Sequence, residues 1–117
     1  MRRLEALGGA VFVAAADVCN LEEMRKARAA AEQGFGPVRV VVHAAGTVDD
    51  APLAVKTTAQ VELVLQAKLH GTQVLEQVFP DGSLDLLILF ASSSTVTAPA
   101  GQIDYVAANE FLNAFAK

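Results

Sequence analysis

Four residues combine types and spacings that could carry chemistry: Lys68, Ser92, Tyr105 and Asn109. Lys68 falls inside the apolar stripe of Val61, Val64, Leu65, Thr72, Leu75 and Phe79 on a predicted helix. An ammonium there must snorkel to solvent, pair, or serve a site, because burying it unpaired costs several kcal/mol. Tyr105 is the only tyrosine, and Asn109, four residues on, shares its helical face. Ser92 stands thirteen residues before Tyr105, at the end of a predicted strand. A strand end, a loop and a helix start can bring a hydroxyl and a phenol to one crevice. Hydroxyl, phenol and ammonium together donate hydrogen bonds and move protons.

The elements that must position these groups alternate between strand and helix. A short helical start closes at Gly8-Gly9, and residues 10–16, an apolar run ending at Asp17, read as a first strand. Asn20 is placed as a helix N-cap with Glu23 at capping-box spacing, and that helix stops at Gly34. Residues 38–42 form a second strand, apolar on both faces and therefore buried. The small-residue turn His43-Ala44-Ala45-Gly46 and an acidic loop with Asp49 and Asp50 follow. A long helix spans 58–79, with a kink at Gly71, and Pro80-Asp81-Gly82 ends it. Residues 84–90, polar only at Asp85, form a third strand; 91–101 is a loop, and a last helix runs over 103–116. Strands separated by helices imply an α/β fold with a parallel sheet covered on both faces. Such sheets bind ligands at the carboxyl ends of their strands, here Asp17, the 43–46 turn and the 91–94 segment.

The bulk properties exclude several classes. At 117 residues the chain is one domain or part of one. A net charge of −4 and pI near 5.0 argue against a nucleic-acid footprint. The group Arg25, Lys26 and Arg28 reads as a solvated helix face. The single cysteine, Cys19, excludes an internal disulfide and most metal-site spacings, and reads as a small structural residue. No metal is expected. With no targeting signal and no long apolar run, no membrane span is expected and the cytoplasm is the expected compartment.

Residues 89–116, LFASSSTVTAPAGQIDYVAANEFLNAFA, resemble the catalytic segment of short-chain dehydrogenase/reductases. More narrowly, they resemble the ketoreductase domains of modular (type I) polyketide synthases. Those carry a Ser-rich strand end, Gly-Gln, and a Tyr-x-Ala-Ala-Asn pattern, matched here by Gly101-Gln102 and Tyr105-Val106-Ala107-Ala108-Asn109. Val41-Val42-His43-Ala44-Ala45-Gly46 followed by Asp49-Asp50 also matches their cofactor-side turn and loop. Most short-chain dehydrogenases place a lysine four residues after the tyrosine, where this chain has Asn109. The polyketide ketoreductases move that lysine to the preceding long helix, and Lys68, 24 residues before Ser92, stands there.

The resemblance implies a Rossmann-like three-layer fold with a parallel sheet, present in part as about three strands and three to four helices. It implies reduction by NADP(H) of a β-ketoacyl group on an acyl carrier protein, within a multidomain synthase. Tyr105 would donate the proton, Lys68 would favour the phenolate and touch the cofactor ribose, Ser92 would polarise the carbonyl, and Asn109 would hold the relay geometry. Asp17 and Val18 resemble the adenine side of the cofactor site, and Ala44, Ala45 and Gly46 would let the cofactor approach closely. Asp49, Asp50 and Gln102 fall where the family controls product stereochemistry. With Val48, the two acids resemble the Leu-Asp-Asp signature of D-hydroxyl producers; two solvated loop acids is the competing reading. His43 is read as structural.

No G-x-G-x-x-G occurs in these residues. The chain is therefore expected to be a fragment of a reductase domain, inactive alone, with sheet edges through which it could self-associate. Two other readings stay open: a stand-alone short-chain dehydrogenase acting on a free metabolite, and a non-catalytic structural or assembly piece.

Overall fold

A computed structural model of the chain describes residues 6–117. Helix α1 (Leu21–Phe35) starts where expected, because the Asn20 side chain accepts from the Glu22 and Glu23 amides. Glu23 does not return to the cap backbone. Its carboxylate takes the Asp17 amide at 2.8 Å and the Asn20 side-chain amide at 2.9 Å, which fixes the turn entering the helix. The helix passes through Gly34 and ends at Gly36, whose φ of +80° ends the helical geometry while its N–H reaches the Glu32 carbonyl.

Strands β1 (Val40–His43) and β2 (Leu86–Leu89) pair in parallel, Val40 opposite Leu86 and His43 opposite Leu89. The exposed Arg39–Asp85 pair, bonded twice at 2.8 Å, sets the register just ahead of both strands. Helix α2 (Thr58–Val78) crosses between them, opened by a full capping box of Thr57 and Gln60. It continues unbroken through Gly71, so the expected kink is a close approach instead. A Cβ at Gly71 would lie 2.9 Å from a Val18 methyl and 3.6 Å from the His43 ring. One-turn helix α3 (Ser94–Thr97) and helix α4 (Ile103–Phe115) complete the order, with a 3-10 turn at Leu53–Val55.

The core lies between α2 and α4. Val64, Val74, Leu75 and Val78 from α2 and Ala108 and Leu112 from α4 are buried. Each buried leucine or valine contributes about 1.5–3 kcal/mol, and truncating Leu112 to alanine would cost about 2–5 kcal/mol. Arg28, expected on a solvated face, is half-buried. It donates to the Val78 carbonyl, pairs with Glu32 at 2.9 Å and lies 4.9 Å over the Phe79 ring, so it fastens α1 to the end of α2.

Two expectations are only partly met. Residues 10–16 run without strand pairing among the described residues, because an apolar run becomes a strand only beside a neighbour that takes its hydrogen bonds. Two strands are therefore paired, not three. The sheet is covered by helices on one face, while Val40 at 50%, Val42 at 52%, Leu86 and Ile88 lie bare on the other. The helical start predicted before Gly8 falls largely on residues 1–5, outside the described ones.

Candidate active site

Two strand ends and one helix meet at Lys68. β1 delivers His43 and the exposed turn Ala44-Ala45-Gly46, and the Phe90 N–H reaches the His43 carbonyl, holding both strand ends level. From the middle of α2, Lys68 Nζ donates to the Phe90 carbonyl at 2.8 Å. The residue is only 5% exposed, so it does not snorkel. Its burial lowers the ammonium's pKa below the ordinary lysine value. Gly46 makes room for it: a Cβ there would stand 3.1 Å from Lys68 Cε.

Ser92 lies two residues beyond Phe90. Its Oγ accepts the Ser94 amide at 3.1 Å, and its carbonyl accepts from Thr95 Oγ1. These side-chain-to-backbone bonds turn part of the expected loop into α3. Tyr105 sits half-buried in the first turn of α4, and its phenol makes no hydrogen bond among the described residues. Asn109 is fully buried one turn later. Its Nδ2 donates to the Tyr105 carbonyl at 2.6 Å, whereas its Oδ1 is enclosed without a donor. The structure thus joins Asn109 to Tyr105, and Lys68 to the strand end bearing Ser92. No direct hydrogen bond links the Lys68, Ser92 and Tyr105 side chains. Their free donors and the orphaned Asn109 oxygen leave unfilled hydrogen-bonding capacity.

The acidic loop is drawn to the start of α4. Gln102 Nε2 donates to Asp50 at 2.8 Å, and the Ala51 N–H reaches the Gly101 carbonyl at 3.1 Å. Gly101 adopts a φ of +82°, open to glycine, with Ala51 packed against it. Asp50 stays exposed while tied to Gln102, and the half-buried Asp49 side chain makes no hydrogen bond among the described residues. A contact that sequence reasoning missed closes the same seam: Lys56 donates to Asp104 with both side chains enclosed.

Beyond the end of the unpaired run, Asp17 is exposed and accepts the Cys19 amide. Val18 packs on Gly71. Cys19 has a structural role, its thiol donating to the Gln66 carbonyl at 3.3 Å, with burial and then Asp17 pushing its pKa up. His43 is buried and its Nε2 has no partner; burial first, then the Lys68 charge, lowers its pKa. Among the described residues no cluster of His, Cys, Asp or Glu could hold a metal, and no helix is long and apolar enough to cross a membrane.

This arrangement of parallel strand ends, Ser-rich turn and Tyr–Asn helix is that of a ketoreductase segment. The KR domain family model matches residues 1–117, and the chain belongs to that family. It is 38% identical to the 6-methylsalicylic acid synthase of Aspergillus terreus, covering 99% of this chain and 6% of that protein. Erythronolide synthase EryA3 of Saccharopolyspora erythraea is 40% identical, over 97% of this chain and 4% of its own length. A crystal structure of a ketoreductase domain from the bacillaene assembly line superposes with a TM-score of 0.90 at 33% identity. That match covers 98% of this chain and 28% of the other. The chain thus corresponds to a small part of each of these relatives.

Proposed function

We propose that these residues form the catalytic half of an NADPH-dependent ketoreductase that reduces a β-ketoacyl thioester carried on the phosphopantetheine of an acyl carrier protein. The observation that carries this reading is the enclosed Lys68 ammonium held at the strand end two residues before Ser92. The small exposed turn Ala44-Ala45-Gly46 beside that ammonium fits the ribose–nicotinamide part of a cofactor, and Asp17 and Val18 would flank its adenine. When bound, that cofactor supplies the hydride.

The chain's own residues supply the proton and the polarisation. Ser92 donates a hydrogen bond to the ketone oxygen. Tyr105 passes its phenolic proton to the same oxygen as negative charge develops there. The Lys68 ammonium, held at the strand end beside the Ser-rich turn, offsets the negative charge that the departing proton leaves behind. Asn109, anchored to the Tyr105 carbonyl, offers its unpaired Oδ1 to the relay that refills the phenol. The bond between Gln102 and Asp50 ties the acidic loop to the start of α4, which supports a role for both in steering which face of the ketone is presented.

The substrate is delivered by other domains of a multidomain synthase, and the reductase works as part of a longer polypeptide in the cytoplasm. No G-x-G-x-x-G occurs among these residues, so the pyrophosphate is held by another segment. The remainder of the reductase also covers the bare face of Val40, Val42, Leu86 and Ile88; without it, that face self-associates. Binding of NADPH and NADH to the 117 residues alone and to the polypeptide carrying them tests this. Saturable NADPH binding and thioester reduction by the longer form alone are expected. A longer form that binds no NADPH and reduces no β-ketothioester would overturn the reading.

A further inference from the structure

The Lys56–Asp104 ion pair stands apart from the catalytic groups and is the most enclosed charge pair among the described residues. The Lys56 side chain is fully buried and that of Asp104 is 2% exposed. Such a pair is a weak source of stability, since desolvation offsets most of the attraction, and two apolar residues would fill the space as well. What it adds is direction, because only one arrangement satisfies both charges. It also does a second job. Gln102, the cap residue of α4, makes no side-chain cap bond, its amide being committed to Asp50. The Tyr105 N–H is taken at 2.9 Å by the carboxylate that Lys56 holds. Three links therefore sew residues 50–56 to residues 101–105, and the last of them grips the backbone of the tyrosine.

We propose that Lys56 and Asp104 are a positioning pair that sets the phenol of Tyr105 for proton donation, an inference that rests on the ketoreductase reading above. Neither residue touches the reacting atoms. Their effect reaches the reaction through the placement of the first turn of α4, where a displacement near 1 Å lowers turnover by up to about a hundredfold.

Steady-state kinetics on the NADPH-binding polypeptide that carries these residues test it. Asp104→Asn keeps an acceptor for the Tyr105 amide but removes the charge. Lys56→Met/Asp104→Leu removes both charges and leaves no buried ion unpaired, so it keeps its fold where a single variant fails. The expected result is kcat lowered about ten- to a hundredfold in both, with KM for NADPH and thioester changed less than about twofold. The double variant should recover the melting temperature without recovering kcat. In a Tyr105→Phe background, Asp104→Asn should have almost no further effect, because the group it positions is gone. The same loss in both backgrounds, or kcat returning together with the melting temperature, would overturn the positioning role alone. A wild-type rate for Tyr105→Phe by itself would overturn the proton-donor reading, and the pair's role with it.

Discussion

Lys68 Nζ and the Phe90 carbonyl are joined at 2.8 Å, tying the middle of α2 to the end of β2 two residues before Ser92. One bond thus accounts for a cation on an apolar helix face and fixes its distance from the Ser-rich turn. Its removal has two separable consequences. Lys68→Met should lower kcat by about a hundredfold or more, the size of a lost proton-transfer aid.

The second consequence is in stability. Burial depresses the folded-state pKa of Lys68, so between that value and the ordinary 10.5 the unfolded chain binds more protons. Stability should therefore rise with pH across that window and be lowest below it, where the buried charge costs most. Urea melts at neutral and alkaline pH should show this rise in wild type and a weaker one in Lys68→Met. Equal slopes would mean that Lys68 is not desolvated.

His43 gives the acid-side counterpart. Its pKa is lowered by burial and by the Lys68 charge, so it folds as the neutral ring. The stability it contributes is complete above 6.5, the ordinary value, and is lost as pH falls through the depressed one. His43→Leu should flatten the stability profile between the depressed value and 6.5, measured by denaturant midpoint at a series of pH values.

Gly71 should tolerate no side chain. Its missing Cβ would meet Val18 at 2.9 Å, so Gly71→Ala is expected to destabilise by about 1–3 kcal/mol despite better helix propensity. Val18→Ala in the same molecule should return part of that loss, a coupling that a double-mutant cycle reads directly.

How much of this was legible depended on whether the determining contact was local. Asn20 and the apolar runs act within a few residues, and α1, α2, β2 and α4 lie close to where those local patterns put them. Lys68 was legible because it broke its own stripe, and the shared helical turn of Tyr105 and Asn109 was legible from spacing. The Lys56–Asp104 pair was not, because its partners are 48 residues apart and each alone reads as a surface charge. Arg28 was misread for the same reason, its acceptor lying 50 residues away. Residues 10–16 show the converse: an apolar pattern announces a strand, but pairing requires a neighbour that no pattern supplies.

The bare sheet face offers a physical test of the longer-polypeptide reading. Sedimentation of the 117-residue chain should show association that rises with concentration, and Val42→Lys/Ile88→Glu should reduce it. A monomer at all concentrations would mean that this face does not need covering.

The most direct test of the account is transfer of label from NADPH deuterated at both C4 positions of the nicotinamide to a β-ketoacyl thioester by the polypeptide carrying these residues. The account predicts deuterium at the β-carbon of a hydroxyacyl product, and in Tyr105→Phe a rate lower by about a hundredfold or more with NADPH still bound. Unlabelled product, or a Tyr105→Phe rate equal to wild type, would contradict it.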